Sequence, residues 1–254
     1  MYKRSDPRRL VRLAGALLMV AGAGSVVWAI VVWQWQDPFT AIYTAYEQHE
    51  LSSRYDKRLA TYRLPAVARP AKPTRAETRA AALAAEKREI AAAARAYAKT
   101  VKPGDPLGRI KVPRLGLDAV LVTGTDHDSL TKGPGWDTRT FLPGEGQLVY
   151  IAGHRTTYSA PFANIDALRP GDLVTIEVPY ATFTYVIRSH IIVPADDLSV
   201  RRSHGQEVVA LQACHPRFFA THRYIAYAVP LRVVPRVGEP YALAHEHLAA
   251  GARS

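Results

Sequence analysis

From Leu13 to Trp33 the chain runs LAGALLMVAGAGSVVWAIVVW, 21 residues without a charge. At 1.5 Å rise per residue a helix of that length spans about 31 Å, the thickness of a bilayer's hydrocarbon core. The pattern predicts a transmembrane helix over 13–35. Ahead of it, residues 1–12 carry Lys3, Arg4, Arg8, Arg9 and Arg12 against Asp6 alone, and basic side chains beside a span stay on the cytoplasmic side. The basic tail is therefore expected inside the cell and the rest of the chain outside it, with Trp33 and Trp35 as aromatic anchors at the outer interface. A cleaved signal peptide has a shorter apolar region ending in small residues. This run is too long for one and ends in tryptophans. A buried core helix is the remaining alternative, and both length and flank speak against it.

Residues 36–103 change texture to Ala, Arg, Lys and Glu with few β-branched side chains, which predicts an extracellular stem rather than sheet. Pro65, Pro70 and Pro73 interrupt any continuous helix and mark an extended spacer. Thr74 and Glu77 have the spacing of a capping box, and the Ala-rich run from there to Thr100 is expected to be helical. Leu83, Ile90 and Tyr97 fall seven apart on it, a thin apolar stripe. The pattern leaves three readings open: docking on the following domain, pairing with a second chain, or a solvated helix.

After Pro103-Gly104-Asp105 the pattern shifts to short β-branched and aromatic runs between Pro and Gly turns. Strands are expected near 109–112, 117–122, 147–152, 173–178, 182–193, 207–213 and 224–234. In LVTIEV the alternation puts Val174, Ile176 and Val178 opposite Leu173, Thr175 and Glu177. Seven or eight short strands with little helix between them predict an all-β fold over 104–236, a closed or nearly closed β-barrel of about eight strands, since closure removes exposed edges. Residues 237–254 read as a C-terminal tail.

Composition narrows the picture. The net charge of +11 would suit nucleic acid, but residues 1–100 hold 17 basic and 8 acidic side chains, while 101–254 hold 16 and 14. The predicted folded domain is nearly balanced, so nucleic acid is not an expected partner. One cysteine, Cys214, excludes an intramolecular disulfide framework and any Cys-rich zinc module. His204, His245 and His247 form no full metal-ligand set, so no metal is expected.

A lone thiol outside the cytoplasm is exposed to oxidation, and Cys214 sits where EVVALQAC gives way to His215 and Pro216, a strand end opening into a loop. A buried inert thiol is the plainer reading of any single cysteine. A nucleophile would need a proton partner and an oxyanion donor. His154, in YIAGHRTTY, ends a strand behind Gly153, which lets the backbone pass close to a bound group, and imidazole suits acid and base roles. Arg223 opens RYIAYAV, and its fork suits a developing oxyanion.

Taken together, YIAGHRTT, APFANIDALRPGD and LQACHPRFFATHRYIAYA resemble the sortases, membrane-anchored cysteine transpeptidases of Gram-positive bacteria. The GHR block, the Cys-His-Pro run and an arginine nine residues beyond the cysteine are most similar to class E. The resemblance implies Cys214 as nucleophile, His154 as acid and base, and Arg223 as oxyanion donor, with Gly153, Ala213 and His215 as substrate-binding or supporting residues and His222 beside them. It also implies cleavage of a Leu-Pro/Ala-x-Thr-Gly sorting signal between Thr and Gly, with no organic cofactor required. The partners would be secreted proteins bearing that signal and a peptidoglycan precursor supplying an amine, met at the membrane. Where the family usually has Thr before the cysteine, this chain has Ala213, which puts substrate positioning in question.

Two other extracellular cysteine classes fit less well. Ser203-His204-Gly205 matches an L,D-transpeptidase motif until Gln206, where the thiol should be. Peptidoglycan hydrolases of the NlpC/P60 type place Cys before His, the reverse of the order here. A non-catalytic anchored β-domain, an adhesin or scaffold with a degenerate site, is the alternative from another class.

Overall fold

The computed structural model describes residues 7–35, 38–65 and 79–243. Lys3, Arg4, Pro70, Pro73, the Thr74–Glu77 capping pair and His245 to His247 lie outside the described residues, as do the side chains of Trp33 and Trp35.

Helix α1, Pro7–Trp35, contains the uncharged run, and its window Arg8–Val31 is long and apolar enough to cross a membrane, with none of it buried against protein. Helices α2, Pro38–Thr61, and α3, Arg79–Ala98, follow. The remaining chain forms strands β1 Pro106–Val112, β2 Leu117–Thr123, β3 Gly135–Trp136, β4 Leu148–Ala152, β5 Leu173–Val178, β6 Ala181–Pro194, β7 Val208–His215, β8 His222–Pro235 and β9 Tyr241–Ala242. A one-turn helix, α4 His127–Leu130, lies between β2 and β3.

All seven expected strands are present, and the order β6-β5-β1-β2-β3-β4-β7-β8 closes by pairing β6 with β8. That seam runs from Ala181↔Pro235 to Pro194↔His222, the full length of two 14-residue strands. The eight-stranded barrel is therefore closed, with β9 added along the far half of β8. The two strands not expected from the sequence, β3 and β9, have two residues each, too short for alternation to register. In β5 the alternation is as read: Val174, Ile176 and Val178 are buried, and Leu173, Thr175 and Glu177 are not.

The stem helices pack on the barrel. Of the three readings of the Leu83/Ile90/Tyr97 stripe, docking is the one realised: Ile90 and Tyr97 join Ala93 and Ala94 in the main core cluster, and the Tyr97 hydroxyl donates to Leu107 O at 2.8 Å. Helix α2 lies along β1 and β2. Its buried Leu51 packs on Val120 and Val122, and Gln48 exchanges bonds with the Val120 backbone, accepting from its N–H at 2.7 Å and donating to its O at 3.1 Å. Arg54 and Arg58 pair with Asp105, and Arg109 reaches Ser52 and Asp56. The polar composition that marked this segment as a stem is thus partly the polar half of an interface.

Candidate active site

Cys214, His154 and Arg223 sit at the ends of three neighbouring strands. Strand β7 lies between β4, which it pairs in parallel, and β8, which it pairs antiparallel. In that register Cys214 is directly opposite Arg223. On the other side Ala152 pairs with Gln212 and the Gly153 N–H donates to Gln212 O at 3.0 Å, so His154 emerges beside Cys214. The thiol is flanked by the imidazole on one strand and the guanidinium on the other.

The three line one cleft of about 300 Å³ on the outer face of this part of the barrel. Gln212 and Tyr150, Leu198 and Val200 from the β6–β7 loop, and Thr125 and Leu130 from the β2–β3 segment line it as well. The cleft is also charged. Asp137, buried, accepts from Arg139 at 2.7 and 2.8 Å and from Arg201 at 3.3 Å. Burial pushes its carboxyl pKa up, but these bonds outweigh burial and hold it below the ordinary aspartate range. One carboxylate thus serves two arginines, and Arg223 adds a further cation.

His154 is half-buried, with its ring 5.1 Å from that of Tyr158. Its Nε2 is buried and has no hydrogen-bond partner. Burial, and secondarily the nearby His127, lower its pKa below the ordinary histidine value, so it rests as a neutral imidazole near pH 7. An unpaired ring nitrogen in a cleft is ready to exchange a proton with a bound group. Arg223 uses Nη1 to hold its own turn, donating to Ala220 O at 2.8 Å and His222 O at 2.9 Å. These bonds fix the fork at the strand end.

The other sequence-derived residues take different places. Ala213 faces the opposite way from Cys214, is 0% exposed, and belongs to the barrel's core cluster. Strand alternation forces this, since adjacent residues point to opposite faces. Ala213 is therefore not a substrate-binding position, and the absent hydroxyl is absent from the core, not from the cleft. Ala213→Thr is expected to lower stability by about 1–3 kcal/mol through overpacking and a buried hydroxyl, with no gain in kcat/KM. Thermal unfolding and peptide kinetics on the two forms check this.

Gly153 lines the cleft, but the group its missing Cβ admits is the buried Phe162 ring: a Cβ there would stand 2.7 Å from Phe162 Cδ2 and 3.1 Å from Pro161 Cγ. The glycine therefore serves packing of the His154 loop as well as lining the cleft. His222 is exposed and close to Thr221. His204 is exposed on the β6–β7 loop, and no group of three or more His, Cys, Asp or Glu converges among the described residues.

His215 supports the site through a residue the sequence did not single out. Arg155, 4% exposed, places Nη1 2.9 Å from His215 Nδ1 and 3.3 Å from Cys214 O, while Nη2 pairs with Asp166 at 2.6 Å. One buried guanidinium thus joins the loop that carries His154 to the strand that carries Cys214. Arg217 adds a second tie, donating to Ala163 O and Asn164 Oδ1. The only signal in the sequence was the arginine next to His154. Arg155→Met is expected to cost about 1.5–3 kcal/mol, the worth of a charged hydrogen-bond set, and to depress turnover with it. Denaturant unfolding and kinetics measured together test this.

A Sortase domain family model matches residues 110–231. Sortase D of Bacillus subtilis (strain 168) is 33% identical over 128 residues, which is 49% of this chain and 63% of that protein. The chain thus aligns with less than two thirds of that relative. Among solved structures, a Clostridium perfringens Sortase D5 transpeptidase superposes with a TM-score of 0.55 at 22% identity, covering 73% of this chain and 99% of that one. Sortase E1 from Streptomyces coelicolor, solved with a tripeptide in its active site, superposes with a TM-score of 0.50 at 24% identity, covering 55% and 97%. Both superpositions bear on the fold alone.

Proposed function

We propose that this chain is a sortase, a membrane-anchored cysteine transpeptidase acting on an extended peptide. The observation that carries the reading is the register: Cys214 opposite Arg223 on β8 and beside His154 at the end of β4, all lining one cleft. The bound tripeptide reported for the Streptomyces coelicolor relative supports a peptide as the ligand class.

In the proposed reaction Cys214 gives its proton to the neutral His154, and the sulfur attacks the carbonyl carbon of a threonine in a Leu-Pro/Ala-x-Thr-Gly signal. The carbonyl oxygen becomes an oxyanion, stabilised by the guanidinium of Arg223. Collapse breaks the Thr–Gly bond, and the departing glycine nitrogen takes the proton from His154. A thioester remains on Cys214. An amine of a cell-wall precursor then attacks it and yields a proton to His154, the new amide forms, and the proton returns to the sulfur. The class E preference for Ala in the signal's second position is part of this proposal.

Helix α1 is the anchor in this reading, with the basic tail cytoplasmic and the barrel outside. Enzyme, tethered cargo and lipid-linked amine then share one surface, which raises their effective concentration. The test is incubation of the protein with a Leu-Ala-x-Thr-Gly peptide and hydroxylamine. Cleavage between Thr and Gly with a hydroxamate on Thr supports the reading, and an unchanged peptide removes it in favour of a non-catalytic domain.

A further inference from the structure

Helix α2 carries two different faces. One docks on the barrel through Thr44, Gln48, Leu51 and Tyr55, with the Thr44 hydroxyl donating to Thr131 O at 2.8 Å and the Tyr55 hydroxyl to Glu177 O at 3.3 Å. The other, in the first turns, presents Phe39, Ile42, Tyr43 and Tyr46, exposed by 71, 70, 45 and 67%. Their spacing of three, four and seven puts them on one stripe. Farther along the same side, His49, Glu50, Ser53 and Lys57 are exposed and polar. The outward face is thus apolar for two turns, about 10 Å of helix, and polar beyond.

The position of that apolar stretch says what covers it. Helix α2 starts at Pro38, three positions after α1 ends at Trp35. Its Phe39 ring lies 5.6 Å from that of Trp28, a residue inside the apolar window Arg8–Val31. The start of α2 therefore sits level with the upper part of the span. At that height the surroundings are the boundary between headgroups and acyl chains, where amphipathic faces bury by about 5–10 Å and where tyrosine concentrates.

We propose that the Phe39/Ile42/Tyr43/Tyr46 face of α2 is a bilayer-binding surface, seated in the leaflet interface on the barrel's side of the membrane. The same two turns also hold the active-site loop. The Tyr158 N–H donates to Thr40 Oγ1 at 2.9 Å, the Ser159 hydroxyl donates to Ala41 O at 3.3 Å, and the Tyr158 ring packs on His154. Tyr158, Ser159 and Ala160 all have positive φ, at 52, 58 and 37°. Such a run persists only where its surroundings hold it, and α2 supplies two of the holding bonds. Seating α2 in the interface places the His154 end of the cleft at the membrane surface.

The inference rests on α1 as a span, not on the transpeptidase reading, and its test reads depth rather than cleavage. The full chain carrying Cys214→Ala is placed one copy per nanodisc, with a nitroxide on a cysteine introduced in turn by Leu18→Cys, Ile42→Cys, Tyr46→Cys or Glu50→Cys. Relaxation by oxygen, which concentrates in lipid, is compared with relaxation by a water-soluble nickel chelate. The labels at 18, 42 and 46 are expected to favour oxygen, with those at 42 and 46 at least about threefold less accessible to nickel than that at 50. A label at 18 in lipid with 42 and 46 as nickel-accessible as 50 overturns the proposal. Shielding of 42 and 46 that appears only with two copies per disc assigns the face to a second chain and also overturns it. A label at 18 outside lipid overturns the span and the proposal together.

Discussion

Cys214→Ala is expected to abolish cleavage and transfer of a Leu-Ala-x-Thr-Gly peptide while leaving the barrel folded. Cys214 lines the cleft at the end of β7, half-buried, so removing its sulfur empties a place at the cleft wall rather than in the core. The Arg155 bond to the strand end is accepted by Cys214 O, which alanine retains. Covalent chemistry has no substitute for the sulfur, and what survives is binding and oxyanion stabilisation acting on water as nucleophile, a loss of several orders of magnitude. Single-turnover mass spectrometry, which sees the thioester in the native protein and none in the variant, checks the result together with thermal unfolding. Wild-type turnover by the variant would remove Cys214 from the reaction.

The second large effect is expected at its neighbours. Arg223→Ala removes a fork that two backbone carbonyls hold in place, and an oxyanion donor of this kind is worth about 100- to 1,000-fold in kcat. Arg223→Lys should recover little, because an ammonium cannot hold those carbonyls and face the oxyanion with a rigid fork. His154→Ala is expected to be as damaging, and His222→Ala far less so, since His222 is exposed outside the cleft lining. The pH profile carries the same assignment. Burial disfavours the charged imidazole of His154, so the form able to accept the thiol's proton persists below the ordinary histidine pKa. The acid limb of kcat/KM should fall at a pH below 6.5, the unperturbed value. A limb above that value would show that the rate follows another group.

Much of the domain was legible because its signals are local. The strand at 173–178 declared itself by alternation, and helix α1 by 21 uncharged residues. The three blocks that resemble sortases also lie within short windows, and Cys214, His154 and Arg223 fall in two of them at or just past strand ends, so they were nameable without knowing how the strands meet. Segments with mixed patterns were harder to read. Helix α2 alternates apolar, polar and charged residues because it faces the barrel, water and, as proposed above, lipid by turns, and a three-way surface has no clean period. Its composition suggested a stem, whereas its buried Leu51 and Tyr55 belong to the folded body.

What the sequence determined by itself was therefore the kind of each element and the chemistry each strand end could offer. Backbone propensity and side-chain alternation act over a few residues. Which ends meet was decided by tertiary structure. His154 and Cys214 stand 60 positions apart, and they converge because β4 and β7 pair in parallel across an intervening hairpin. The antiparallel pairing of β7 with β8 puts Arg223 on the other side of the thiol. The same alternation that revealed β7 turns Ala213 into the core and Cys214 into the cleft, but which face is core depends on barrel closure. Arg155 shows the limit most clearly, since a buried guanidinium between two strand ends has meaning only once those ends are adjacent.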